Sequence, residues 1–461
     1  MVAGLPPVDG SHESSAALLT AADPPPDHPT AVRSLPFKTS LLVLLALLGW
    51  SLSFNLVVLQ KLPGISPIDG IVYSDAFDRA LQGSITVQGD RMGEETTRYI
   101  GCRGVQGFGS MEIPCEGPYP ETFRGFTSAY VHPPTYFFAT ATLVKAGQYV
   151  FPDVYVFDLA RIVSGVWFAL GAFVMVVLAA RWGARPWPAA LVVAALLPTP
   201  TFMSMFAFIT PDSMSLLVCA SIALGATLWW QNRIPAWSLV FFGALAALVK
   251  QTYLLAVIAA VLLIGLLWLL QRRRSGRHTL QAAGFLCLGA AAAVVGWDLL
   301  KRSLALFPLP DSGSDPFAYP VTFDGAVGLL FQGAHDLPVD AAGLLIAVPL
   351  ASRAIGSAAV LALAAAAGGA LLYQARKTDE FALSAAGVIA VVTGGLILSG
   401  LYFASSGIFL PPAPRYVMGA FPIYALPLVL AMRSRLMVGL VAALALVGYV
   451  AWLLTPIVSV A

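Results

Sequence analysis

"TSLLVLLALLGWSLSFNLVVLQ", residues 39 to 60, contains no charged side chain. A helix needs about 20 mostly apolar residues to cross the hydrocarbon core of a bilayer, and this stretch supplies them. It reads as a transmembrane helix, and the rest of the chain agrees with it. Of 461 residues, 58% are hydrophobic and 11% charged, whereas soluble domains carry about 25% charged residues. Such a chain cannot cover its apolar surface with polar groups, so it reads as an all-α, polytopic membrane protein. The net charge of +2 says nothing about partners. No basic patch with interleaved aromatics points to nucleic acid.

Working outward, residues 1–38 include "VDGSHESSAALLTAADPPPDHPTAVRS". They have little to bury and are expected to form a disordered cytoplasmic tail; they are too long and polar for the n-region of a signal peptide. Downstream, apolar runs at 159–180, 187–208, 213–231, 235–249, 252–270, 279–300, 355–374, 381–403, 416–432 and 436–456 bring the expected count to eleven transmembrane helices. A shorter run, 133–147, opens with Pro133-Pro134 and reads as an interfacial or re-entrant helix. With the N-terminus in the cytoplasm, every inner connection holds a basic residue: Arg181 and Arg185; Arg233; Arg272, Arg273, Arg274 and Arg277; Arg376 and Lys377; Arg433 and Arg435. A full crossing by 133–147 would turn "QRRRSGR" outward. The odd count therefore puts the C-terminus outside. Residues 39–461 become one transmembrane domain of the plasma membrane, with extracytoplasmic loops at 61–158 and 301–354.

The first outer loop begins with "SPIDGIVYSDAFDRALQG", residues 66–83. On a helix Asp75 and Asp78 share a face. Asp78, beside Arg79, reads as part of a solvated amphipathic helix with Val72, Ala76, Phe77 and Leu81 toward lipid. Asp69 reads as a general base or metal ligand. Other ionisable groups fall at the same outer ends of the spans, where they are costly and are candidates for function. His132 in "VHPPTYFF" starts a helix and contacts headgroups, or serves a site. Asp212 in "ITPDSMS" caps the next helix, or joins Asp69. Lys250-Gln251 and Arg415-Tyr416 either snorkel to the headgroups or hold an anion, for which Arg is suited by its bidentate geometry. Acids, a lysine and an arginine at one interface suit a substrate with a phosphate near the membrane and a hydroxyl to be deprotonated. Cys102 and Cys115 share the first outer loop, where an oxidising compartment permits a disulfide; the alternative is two free thiols. Cys219 and Cys287 read as small residues within spans.

In order and sidedness these motifs resemble the GT-C class of polytopic glycosyltransferases, above all the branch with protein O-mannosyltransferases and the aminoarabinose transferase of lipid A. Pro67-Ile68-Asp69-Gly70, with Tyr73 and Gly83, is similar to the Pro-Asp-Glu opening of that branch's first loop. His132-Pro133-Pro134-Thr135-Tyr136 looks like its His/Lys-Pro-Pro-Leu helix. Pro211-Asp212, Val249-Lys250-Gln251 and Pro414-Arg415-Tyr416 resemble its later turns. The resemblance spans most of 39–432 and implies a polyprenyl-phosphate sugar donor and an envelope glycan, lipid or protein acceptor on the outer face. It implies a single inverting displacement with Asp69 as base. Asp75, His132, Asp212, Lys250, Gln251, Arg415 and Tyr416 would line the substrate. Some members bind a divalent cation (Mg, Mn or Ca), for which Asp69 and Asp212 are the carboxylates to hand; no other cofactor is implied. The Ala- and Gly-rich, Lys-poor composition resembles an actinomycete's, where such enzymes use decaprenyl-phosphate sugars for cell-wall arabinan and mannan. That makes arabinosyl or mannosyl transfer the expectation. The family's second acid is Gly70 here; Asp75 replaces it, or the metal is absent. Two other classes remain: a transporter or lipid flippase, whose signs are internal repeats and mid-membrane charges, and a non-catalytic envelope protein.

Overall fold

The computed structural model describes residues 35–456 apart from 68, 109–110, 121–123, 272–274, 307–347, 374–377 and 407–413. The expected tail up to residue 34, and Asp311, Asp315, His335 and Asp336 of the second outer loop, lie outside the described residues.

The described residues are helical, with two isolated bridges and no strand. Phe37–Lys61 is α1, and it starts just inside the segment expected to be disordered. Three helices of the first loop follow: α2 (Gly70–Leu81), α3 (Glu94–Arg103) and α4 (Thr135–Gln148). The rest of the bundle is α5 (Val156–Arg181), α6 (Pro186–Leu196), α7 (Pro200–Phe206), α8 (Ser215–Trp230), α9 (Leu239–Val249), α10 (Leu254–Gln271), α11 (Gly276–Leu304), α12 (Leu350–Tyr373), α13 (Asp379–Ser406), α14 (Phe421–Ala431) and α15 (Arg435–Leu454).

Among the described residues, eight helices are long and apolar enough to cross a membrane. The protein is a polytopic helical membrane protein. The expected span 187–208 is not straight: α6 and α7 form a pair bent by 89°. The cause is "LPTP", residues 197–200. Proline lacks the N–H of the helical ladder and its ring crowds the preceding turn, so α6 stops and Pro200 restarts α7 at its first turn, where proline is tolerated. Counting the pair as one crossing gives nine, and two shorter apolar helices, Ala236–Val249 and Phe421–Ala431, fill the remaining positions read from the sequence. The 14-residue α4 is too short to span.

α5 packs against α1 and α8, α10 against α13, and α9 against α11. The α9–α11 seam is closed by glycines: a Cβ on Gly243 would lie 2.0 Å from the Leu286 carbonyl oxygen, and one on Gly289 2.0 Å from that of Val240. With no hydrophobic drive between helices in lipid, such backbone approach is how they gain contact.

The loop helix α2 is not solvated. Phe77 and Ala76 are buried, and α2 packs against α3 and α4. Asp75 and Asp78 are buried too, contrary to the solvated face expected for Asp78. Asp75 accepts from the Gly93 N–H at 2.7 Å and pairs with Arg79 at 3.5 Å; Asp78 accepts from Gln82 at 3.2 Å. The backbone of the α2–α3 connection thus satisfies Asp75, and the Gln82 side chain takes the place of the solvent expected for Asp78. Cys102 and Cys115 are joined by a disulfide in the same loop layer.

Candidate functional site

Four charged side chains from four distant segments meet at one end of the bundle. Asp212 lies at their centre. Its Oδ1 accepts from Lys250 Nζ at 2.7 Å, and its Oδ2 accepts from Arg415 Nε at 3.2 Å. Arg415 also reaches Asp69 Oδ2 through Nη2 at 3.2 Å. Tyr73, one turn into α2, donates its hydroxyl to Asp69 Oδ2 at 3.4 Å and accepts from Lys250 Nζ at 3.3 Å. Tyr416 closes the cluster: its ring lies 4.8 Å from Lys250 Nζ and 4.9 Å from the Arg415 guanidinium carbon, distances at which a cation is held by the aromatic quadrupole.

Each position has a local cause. Pro211 sits at the first turn of a 3-10 helix, Pro211–Met214, whose cap is Thr210; the Thr210 hydroxyl accepts from Asp212 N at 3.2 Å. The capping role read for Asp212 thus belongs to Thr210, and the Asp212 carboxylate is left for the two cations. Tyr136, from the His-Pro-Pro-Thr-Tyr stretch, accepts from Thr210 N at 3.1 Å, and Tyr253 donates to the Pro211 carbonyl at 2.7 Å. Lys250 has extended backbone at the break after α9, which turns its side chain inward. It is buried and does not snorkel. Asp69 adopts a left-handed conformation, φ 54°, at the start of α2 without capping it. Aspartate tolerates that region better than most residues, and the carboxylate is thereby directed at Arg415 and Tyr73.

Burial divides the cluster. The side chains of Asp212 and Lys250 are 3% and 4% exposed and that of Arg415 9%, but that of Asp69 is 43% exposed. Asp69 is the member of the four that an incoming molecule can reach. A buried carboxylate between two cations avoids the desolvation penalty of an isolated charge. Burial, then the Asp212 carboxylate, holds the Tyr73 phenol well above its ordinary value, so it stays a donor. His132 stands edge-on to Tyr73, ring centroids 5.0 Å apart. Burial, reinforced by the Lys250 ammonium, lowers its imidazole to about 3, so it is neutral at ordinary pH.

The structure therefore brings together Asp69, His132, Asp212, Lys250, Arg415 and Tyr416. It places Asp75 at the α2–α3 joint and leaves Gln251 exposed. Sequence reading missed Arg161. This residue is 1% exposed and spends its guanidinium on carbonyls: Nε to Ala207 at 3.0 Å, Nη1 to Pro63 and Gly64 at 3.2 Å each, and Nη2 to Leu62 at 2.8 Å. Asn55 adds a bond to the Phe206 carbonyl at 2.6 Å. Together they tie the segment that leads into Asp69 to the segment that leads into Asp212. The available signal was a charge inside an expected span.

A divalent cation does not fit this arrangement. Among the described residues no three His, Cys, Asp or Glu side chains stand close enough to share one. Where Asp69 and Asp212 meet, the Arg415 guanidinium already lies between them. Gly70 offers no place for a second acid, because a Cβ there would lie 2.7 Å from Ile65 Cγ2 and 2.9 Å from Ser66 Cβ. No family model matches the chain, and a search of curated proteins returns no match.

Proposed function

We propose that this protein is an inverting membrane glycosyltransferase of the GT-C type, transferring a sugar from a polyprenyl-phosphate donor to an envelope glycan, lipid or protein acceptor. The proposal includes eleven crossings, a cytoplasmic N-terminus and an extracytoplasmic site in the plasma membrane. The observation that carries it is the convergence of Asp69, Asp212, Lys250 and Arg415, with Asp69 alone well exposed.

In this reading the donor phosphate approaches Lys250 and Arg415 and competes with Asp69 for the guanidinium. Donor binding thereby frees Asp69 to accept the proton of the acceptor hydroxyl. The acceptor oxygen forms its bond to the anomeric carbon from the face opposite the phosphate. The bond from that carbon to the phosphate oxygen breaks, and polyprenyl phosphate leaves. Its rising negative charge is met by two cations that Asp212 and the two tyrosines have already oriented, a form of electrostatic preorganisation. Neutral His132 and Tyr416 line the sugar. A positioned base contributes about 10²–10⁴-fold.

The test is transfer of labelled sugar from synthetic polyprenyl-phosphate donors in membranes holding wild type or Asp69→Asn. The expected result is product of inverted configuration with wild type and a loss of about 10²–10⁴-fold in the variant. Full activity in Asp69→Asn removes Asp69 as base. Gly70 favours a second reading, a protein that keeps this architecture without catalysis; donor binding with no turnover for any donor would support it.

A further inference from the structure

The arginines that set sidedness in the sequence have a second use at the end of the bundle remote from Asp212. α6 and α15 pack against each other, and their N-terminal turns face a cleft of about 420 Å³. Arg185, Trp187, Arg433 and Arg435 line it, with Ser434 and Val438. All three arginines are exposed, and none forms an ion pair with a carboxylate among the described residues. Arg433 makes a single long contact, 3.4 Å, to the Leu430 carbonyl. Orienting a membrane protein needs basic residues in a connection but no particular arrangement of them. Three that converge from two connections far apart in sequence are more than orientation requires.

Two further features fix the chemistry. At the start of α15 the Arg435 and Leu436 N–H groups have no intrahelical acceptor, while the Ser434 hydroxyl takes that of Met437; in α6 Pro186 and Pro188 carry no N–H and Ala189 donates to the Arg185 carbonyl, which leaves the Trp187 N–H. The positive end of α15 and the one free N–H of α6 thus add to the three guanidiniums. The depth is set by what surrounds the cleft. Trp187 is 45% exposed on its wall, and below it the outer side of α15 presents Leu436, Leu440 and Leu444. An indole above exposed leucines marks the level of lipid headgroups. Basic pockets between transmembrane helices at that level hold anionic headgroups.

We propose that this cleft binds the phosphate of an anionic phospholipid, with Arg185, Arg433 and Arg435 on the phosphate oxygens and Trp187 against the glycerol. The proposal is independent of the transferase reading, since it needs only that the protein spans a membrane.

The test uses the full chain purified in neutral detergent. Binding of short-chain phosphatidylglycerol, phosphatidylcholine and inorganic phosphate is measured by native mass spectrometry and by thermal shift. Wild type should bind phosphatidylglycerol in preference to phosphatidylcholine. R185A/R433A/R435A should bind phosphatidylglycerol roughly tenfold to a hundredfold more weakly. Single variants should each lose part of the affinity, which keeps the test decisive if the triple variant is unstable. Arg302→Ala, near the C-terminal end of α11 and outside the cleft, should bind as wild type does. Equal phosphatidylglycerol binding by wild type and the arginine variants would overturn the proposal. So would equal affinity for phosphatidylcholine. Inorganic phosphate binding as tightly as phosphatidylglycerol would assign the cleft to a free anion and overturn the lipid.

Discussion

Asp69 and the pair Asp75/Asp78 stand within ten residues of one another, yet they belong to different worlds. Asp69 meets Arg415 and Tyr73, and through Arg415 it joins Asp212 and Lys250. Asp75 and Asp78 meet Gly93, Arg79 and Gln82, all from the same loop. The helix explains the parting. At about 100° per residue, Asp75 and Asp78 lie about 200° and 140° round α2 from Tyr73. A carboxylate whose partners come from distant segments depends on the whole bundle and is positioned by it. One whose partners are local holds a loop together.

Substitutions at four positions separate the two regions. The largest effect is expected for Arg161→Met, which orphans the four carbonyls its guanidinium holds, each at about 1–3 kcal/mol; Lys250→Met comes next. Removing one partner of a buried pair costs about 3–5 kcal/mol where the remaining charge is left uncompensated, and less here, because Arg415 still pairs with Asp212. Unfolding in detergent should show that loss, and Lys250→Met combined with Asp212→Asn should recover much of it. Equal loss in single and double variants would deny that the pair is coupled. Arg161→Met should lower both thermal stability and transfer. Arg161→Lys should restore part of the stability but less of the transfer, because one ammonium cannot hold both segments.

The smallest effect falls at the local pair. Burial pushes the Asp78 carboxyl up to about 6, with Asp75 raising it further and Gln82 opposing. A carboxyl whose folded value lies above its unfolded value, about 3.9, binds more protons in the folded state between the two. Stability from this group is therefore present below the unfolded value and is lost as pH rises toward about 6. Asp78→Asn removes the penalty. Its melting temperature should exceed that of wild type at pH 8 and approach it at pH 5; a gain that is the same at both would contradict the assignment.

The apolar runs were legible because their length and lack of charge admit one reading. Asp69, Asp212, Lys250 and Arg415 were legible because each breaks a rule of membrane composition at the same end of its span. What the sequence hid depends on tertiary partners. The bend at Pro198 and Pro200 looks like a continuous run when only hydropathy is read. Burial of Asp78 needs the Gly93 connection to fold over it. Arg161 falls at the start of an expected span, and only the carbonyls of Leu62, Pro63, Gly64 and Ala207 give it a task. Tyr73 entered only through the resemblance, and its bond to Lys250 was not legible.

The most direct measurement compares sugar transfer by Asp69→Asn and Asp75→Asn, side by side, from a polyprenyl-phosphate donor that wild type uses. The account predicts a loss of about 10²–10⁴-fold for Asp69→Asn, and activity within about tenfold of wild type for Asp75→Asn, whose side chain only secures Gly93 and Arg79. A collapse of transfer in Asp75→Asn with activity kept in Asp69→Asn would contradict it.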